Sequence, residues 1–191
     1  MNKVKAAVFA SGNGSNFEAI MKHEKLACDV VLLVCDKPGA SVIEKASSYS
    51  VQTFVLNPED FESKGKYEEE ILIKLEQEGV EWIFLAGYMR IAGETLLHAY
   101  ERKIMNIHPS LLPAFPGKDA IGQAFRAGVA VTGVTVHFID EGVDTGPIIA
   151  QEQVEIFPED TEELLKIRIQ KVEHVLYPTV INSILLSDKM E

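Results

Sequence analysis

The sequence predicts an α/β protein: a mostly parallel, twisted sheet with helices on both faces and an antiparallel addition toward the C-terminal end. Three observations carry this. Short apolar runs alternate with helix-spaced amphipathic segments over about the first hundred residues, which is the pattern of strand–helix–strand crossovers. The run Val30-Val31-Leu32-Leu33-Val34 is continuous rather than alternating, as expected of a strand covered on both faces. A later strand–loop–strand around residues 140–147 supplies the antiparallel addition.

Taken in order, residues 4–10 read as the first strand and Ser11-Gly12-Asn13-Gly14 as a turn. Ser15, with Glu18 three residues on, forms a capping box that starts a helix with an apolar face of Phe17, Ile20, Met21 and Leu26. Residues 29–35 form the second strand, closed by Asp36-Lys37-Pro38-Gly39. Val42, Ile43, Ala46 and Tyr49 space as a helix, and residues 52–56 form a short third strand. After Asn57-Pro58, residues 66–79 are an amphipathic helix through Tyr67, Ile71, Leu72 and Leu75, stopped by Gly79. Strand four covers 81–86, a loop 87–90 and a short helix 93–100, and strand five ends at His108. Residues 120–127 read as a helix, 132–139 as an alternating strand and 148–156 as the last strand. Pro158-Glu159-Asp160-Thr161 opens a long helix to about Tyr177, where Pro178 is expected to bend it into a terminal helix ending near Leu186.

A chain of 191 residues fits one domain over 1–191 with a sizeable core. Its apolar share of 47% and charged share of 25% suit a soluble globular protein. No apolar run reaches the ~20 residues of a membrane span. The apolar N-terminal stretch is short and runs into the glycine turn, so it reads as a buried strand rather than a signal peptide, and the cytoplasm is the expected location. Cys28 and Cys35 lack metal or redox spacing and read as reduced packing residues, so no metal is expected. The net charge of −11 argues against sequence-independent nucleic-acid binding. It leaves room for a small anion held by local backbone dipoles. The sequence does not specify an oligomeric state; a homodimer is the assembly allowed for.

The most informative stretch is Asn106-Ile107-His108-Pro109-Ser110-Leu111-Leu112-Pro113. On a strand, Asn106 and His108 share a face while Ile107 enters the core. Pro109 and Pro113 then forbid a continuing central strand. A carboxamide that donates without titrating thus lies beside an imidazole that can carry a proton near neutrality. Together they suit a reaction that develops negative charge on an acyl oxygen and then moves a proton. The plain alternative is a proline-stiffened turn whose His caps a backbone group.

In sheets of this class, ligands sit at the carboxyl ends of the strands. The Ser11–Asn16 turn lies at such an end. It fails the dinucleotide fingerprint, because Phe17 takes the third glycine position, and it fails the Walker pattern; a single phosphate is the expected guest. The loop Asp140-Glu141-Gly142-Val143-Asp144-Thr145-Gly146-Pro147 lacks calcium-loop spacing. Its sharper reading sets Asp144 against His108, favouring imidazolium. A Ser110-His108-Asp144 hydrolase is the competing class, weakened because Ser110 is in no nucleophile elbow. His137 faces either the cleft or solvent; His23, His98 and His174 read as surface or packing residues; Arg90 reads as a carboxylate clamp or a solvated loop residue.

Together with Ala86-Gly87-Tyr88-Met89-Arg90 and Gly133-Val134-Thr135-Val136-His137-Phe138 leading on to Asp144-Thr145-Gly146-Pro147, these segments resemble the phosphoribosylglycinamide formyltransferases over nearly the whole chain. The resemblance implies a Rossmann-like formyltransferase fold. It implies formyl transfer from the co-substrate 10-formyltetrahydrofolate to the amine of 5-phosphoribosylglycinamide, in de novo purine synthesis. By resemblance, Asn106, His108 and Asp144 match the catalytic trio. Gly12, Asn13, Gly14 and Ser15 match the phosphate loop, and Glu173 matches a carboxylate that contacts the ribotide. Met89, Arg90, Ile91 and Val143 match the folate pocket. The implied reaction is direct attack through a tetrahedral adduct stabilised by Asn106 and His108, with Asp144 assisting proton transfer.

One departure lies after Pro116-Gly117, where some relatives carry histidines and this chain reads Lys118-Asp119-Ala120-Ile121. Lys118 is expected to add positive charge near the phosphate. Two related families share the Ser-Leu-Leu-Pro loop. Methionyl-tRNA formyltransferase needs a further C-terminal tRNA-binding domain, whereas this acidic chain ends at Glu191. Formyltetrahydrofolate deformylase carries an extra N-terminal domain, whereas here the first strand begins at once. A non-catalytic sensor on the same scaffold would not need Asn106, His108 and Asp144 together.

Overall fold

The computed structural model describes residues 3–188. Its strands are β1 (Val4–Ala10), β2 (Cys28–Cys35), β3 (Gln52–Val55), β4 (Trp82–Leu85), β5 (Ile104–His108), β6 (Val131–Phe138) and β7 (Ile148–Glu155). The helices are α1 (Ser15–Met21), α2 (Ser41–Ser48), α3 (Lys64–Glu78), α4 (Glu94–Ala99), α5 (Ala120–Ala127) and α6 (Glu162–Asp188). One sheet of seven strands runs in the order β3-β2-β1-β4-β5-β6-β7. The first five pair in parallel, and β6 and β7 add antiparallel to β5.

Strand period sorts the core into two layers, because successive side chains leave a strand on opposite faces. Ala6, Val8 and Ala10 of β1 join Phe17, Ile20, Val42, Met105, Ile107, Tyr177 and Ile181 on one face. Ala7 and Phe9 join Ile71, Leu75, Ile83, Leu96 and Ile104 on the other. The sheet therefore lies between α1, α2 and α6 on one side and α3 and α4 on the other. Both cysteines are buried in β2. Among the described residues, no helix is long and apolar enough to cross a membrane.

Three local expectations change. Ser15 is not the cap of α1: Gly14, at φ 73°, takes that position, and Asn13 Oδ1 accepts the Ser15 N–H at 3.0 Å. The left-handed backbone suits glycine, and a Cβ there would sit 2.5 Å from Val42 Cγ2. Glu18 does not reach back to the cap but pairs with Lys22 at 2.6 Å and Lys45 at 2.7 Å. Leu26 lies beyond α1, packed against the same core from the following turn. Finally, α6 runs unbroken through Pro178. A proline inside a helix costs roughly 3 kcal/mol, but Leu165, Ile169 and Tyr177 before it and Ile181 and Leu185 after it are fully buried and hold both halves on one axis. Thr179 Oγ1 adds a bond to the Val175 carbonyl at 2.7 Å, beside the proline.

Tyr177 ties α6 to the sheet. Its hydroxyl lies 2.9 Å from both the Leu85 carbonyl, at the carboxyl end of β4, and the Met105 carbonyl, near the start of β5. Tyr177→Phe leaves those carbonyls without this donor, and the expected loss is about 1–3 kcal/mol of unfolding free energy with the fold retained, read by urea denaturation followed by circular dichroism.

Candidate active site

The carboxyl ends of β1, β4 and β5 open into one cleft of about 830 Å³. Gly12, Asn13, Gly14 and Ser15 line it from the loop after β1, and Met89, Arg90 and Ile91 from the loop after β4. Asn106 and His108 come from β5, Val143 and Asp144 from the loop between β6 and β7, and Glu173 from α6. All the site residues implied by the resemblance thus line a single depression. Lys118 and His137 line it too.

The first two loops are joined directly. Ser11 N–H donates to the Gly87 carbonyl at 3.1 Å, and Ser11 Oγ accepts the Met89 N–H at 2.9 Å. Arg90 is not a free loop cation. Its Nε donates to Asp36 Oδ2 at 2.9 Å, and its guanidinium lies 5.9 Å from the Tyr67 ring centroid. Asp36 is buried just after β2, and its other carboxylate oxygen has no hydrogen-bond partner among the described residues. The pair therefore consumes Nε and leaves the two Nη groups for a ligand. Glu68, also buried, accepts the Gly93 N–H at 2.6 Å and so anchors the segment that follows Ile91. Burial pushes the Glu68 carboxyl above the usual range. Met89, Ile91 and Val143 are 60%, 53% and 47% exposed, an apolar lip at the mouth of this side of the cleft.

The centre is built around His108. Its Nε2 faces the Phe115 carbonyl oxygen at 2.9 Å, and its Nδ1 lies 3.4 Å from Asp144 Oδ2. Both ring nitrogens face oxygen acceptors, so the ring satisfies both only with a proton on each. The longer distance at Nδ1 leaves that N–H within reach of an incoming acceptor. Asp144, at φ 55°, also accepts the Gly117 N–H at 2.7 Å, so the loop after β5 holds both members of the pair. Gly146 permits this approach: a Cβ there would collide with the Phe138 carbonyl. The same loop is fixed from below, where Thr135 Oγ1 donates to the Ser110 carbonyl at 2.7 Å and accepts the Leu112 N–H at 3.1 Å. Gln151 Nε2 reaches both Thr135 Oγ1 and the Leu112 carbonyl at 2.9 Å.

The hydrolase alternative fails on geometry. Ser110 is buried and its hydroxyl donates to the Ala114 carbonyl at 2.6 Å, while His108 Nε2 faces Phe115. Among the described residues, no hydrogen bond joins Ser110 to His108. In the acidic loop, Asp140 Oδ1 takes the Gly142 N–H and the Thr145 hydroxyl, as a loop-stabilising turn does.

Several groups at the site are left open or missed by a reading of the sequence. His137 faces inward, 1% exposed, with Asn106 Nδ2 at 3.2 Å from its Nε2 and Asp144 Oδ1 at 3.7 Å. Its parity on the alternating strand was the available signal. The Phe115 carbonyl, the Gly117 amide and Asp36 leave no such trace, although an acid ending a buried strand is itself unusual. Lys166 and Gln170 line the cleft from α6, seven and three residues before Glu173 on the same side of the helix as the helical period requires.

Glu173 is buried and accepts from Asn16 Nδ2 at 3.2 Å. Burial pushes its carboxyl up to about 7, against the opposing pull of the Asn16 bond. The folded chain therefore keeps a proton that the unfolded chain releases near 4.5. The stability this group contributes is fully present below that value and is lost as pH rises through about 7. Glu173→Gln should leave the melting temperature near wild type in acid and raise it in alkali, where the gain in stability is at most about 3 kcal/mol; calorimetry on either side of neutrality reads the difference.

Residues 4–181 match the formyl transferase family. A phosphoribosylglycinamide formyltransferase of Bacillus subtilis (strain 168) is 58% identical over 184 residues, covering 95% of this chain and 94% of that protein. The trifunctional purine biosynthetic protein adenosine-3 of Gallus gallus is 41% identical over 183 residues, which are 94% of this chain and 18% of that protein. Glycinamide ribonucleotide transformylase 1 from Geobacillus kaustophilus has the same fold, with a TM-score of 0.94 at 59% identity over 96% of this chain and 100% of that one. By sequence and by fold, the chain belongs to the phosphoribosylglycinamide formyltransferases of the formyl transferase family.

Proposed function

We propose that this chain, acting as one formyltransferase domain in the cytoplasm, moves a formyl group from 10-formyltetrahydrofolate to the amine of 5-phosphoribosylglycinamide, a step of de novo purine synthesis. The observation that carries the reading is the convergence of three groups in the cleft. His108 Nδ1 lies 3.4 Å from Asp144 Oδ2, and Asn106 Nδ2 is held on the same face of β5 by His137.

The two sides of the cleft suit two ligands. The glycine-bearing loop after β1 offers close backbone approach to a phosphate, with Lys118 and Lys166 at the same cleft to oppose its charge. Glu173 and Asn16 border the space for the ribotide. On the other side, the apolar lip of Met89, Ile91 and Val143 fits a flat heterocycle, and the Nη groups of Arg90 suit a carboxylate. An acidic protein thus accommodates anions where its local groups, rather than its net charge, set the field.

In the reaction, a bond forms between the glycinamide nitrogen and the formyl carbon, and the bond from that carbon to the folate nitrogen breaks. Asn106 Nδ2 and His108 Nδ1 donate to the formyl oxygen as it becomes anionic. Asp144 keeps His108 oriented and receives the proton lost by the attacking amine, which returns to the folate nitrogen as it leaves. No side chain needs to act as a nucleophile; the gain comes from holding two substrates together and from prepositioned donors.

An absorbance assay of formyl-folate turnover, run with and without the ribotide, tests this. Turnover should require the ribotide, and Asn106→Ala or His108→Ala should each lower kcat by about 10²–10³-fold. Formate release without the ribotide at the full rate, or near wild-type transfer by both variants, overturns the assignment. Lys118→Ala should weaken phosphate-dependent binding of the ribotide with little effect on kcat, and an unchanged KM would remove that residue from the site.

A further inference from the structure

We propose that His137 is a positioning residue: it fixes which end of the Asn106 carboxamide faces the reacting formyl oxygen. This rests on the formyl-transfer reading above and goes beyond it, because a carboxamide has two nearly isosteric orientations and only one of them donates.

The geometry begins with register. Asn106 of β5 and His137 of β6 are direct partners across the antiparallel pair, so their side chains emerge side by side. The His137 ring is 1% exposed. Its Nδ1 lies 2.7 Å from the Phe138 carbonyl oxygen, which can only accept, so Nδ1 carries the proton. In the neutral ring Nε2 is then a bare lone pair. Asn106 Nδ2 lies 3.2 Å from it, and the amide must turn its N–H₂ toward His137 to satisfy that acceptor. One N–H of Nδ2 is used in this way, and the other remains for the cleft.

Reversal of the amide would bring Oδ1 to the place of Nδ2. A carbonyl oxygen would then face both the His137 lone pair and the developing oxyanion, and repel both. His137 thus selects the donating orientation without touching either substrate. Its charge state is consistent with this role. Burial lowers its tendency to bind a proton, His108 acts in the same direction, and Asp144, Asp140 and the Phe138 carbonyl oppose. The neutral ring is the form that accepts from Asn106.

The test combines kinetics with a direct reading of the tautomer. His137→Phe keeps a ring but removes the acceptor, whereas His137→Gln can return an oxygen to the position of Nε2. In the ribotide-dependent assay, His137→Phe should lower kcat by about 10²-fold, comparable with loss of an oxyanion donor, with KM for both substrates within about twofold of wild type. His137→Gln should recover at least about tenfold of that loss, and His137→Phe added to Asn106→Ala should cost nothing further, as expected of residues acting through one group. A wild-type kcat in folded His137→Phe, a rise in KM alone, or multiplicative losses in the double variant would overturn the proposal. Nitrogen-15 spectra of the wild-type imidazole at neutral pH give a reading independent of variant folding: Nδ1 should be protonated and Nε2 bare, and a protonated Nε2 would also overturn it. If the wild type does not transfer formyl at all, the functional reading fails, while the spectra still report on the contact.

Discussion

The site depends on an imidazole placed between two acceptors. His108 has the Phe115 carbonyl on one nitrogen and the Asp144 carboxylate near the other. Neither acceptor comes from β5, so the strand delivers only the ring, and the loops define what it can do. The Gly117 amide on Asp144 makes the loop after β5 responsible for both partners. That loop is in turn held by Thr135 and Gln151 from the antiparallel strands. The antiparallel addition to a parallel sheet is therefore what supports the surroundings of His108: β6 braces the loop from beneath and brings His137 opposite Asn106.

A second set of contacts keeps two sides of the cleft in fixed relation. Ser11 joins the loop after β1 to the loop after β4 through both its backbone and its hydroxyl. Asp36 holds Arg90, and Glu68 holds Gly93. Each of these carboxylates is buried and charge-assisted by a donor on the β4 side, an arrangement that resists movement because an unpaired buried carboxylate is expensive. For a reaction between two bound molecules, such rigidity matters, since much of the rate gain comes from holding the reacting atoms in line.

Much of the fold is legible in the primary structure. The continuous apolar stretch 30–34, the alternation in 132–139 and the glycine turn after residue 10 each report an interaction between near neighbours, and all appear where expected. The shared face of Asn106 and His108 follows from strand period alone. The same locality explains the errors. A capping box at Ser15 ignores the packing of Val42 against Gly14, and a break at Pro178 ignores the buried residues that carry α6 through it.

What the sequence determined by itself was the set of elements and the pairing of a carboxamide with an imidazole on one strand end, because these depend on periods of two and 3.6 residues and on local turn chemistry. What only the tertiary structure decided was who meets whom: Asp144 with His108, His137 with Asn106, Glu173 with Asn16, and Asp36 with Arg90. Those contacts join residues far apart in the chain. They depend on strand order, register and loop closure, which arise when the two hydrophobic layers pack on the sheet and leave no signature in either partner's immediate neighbours.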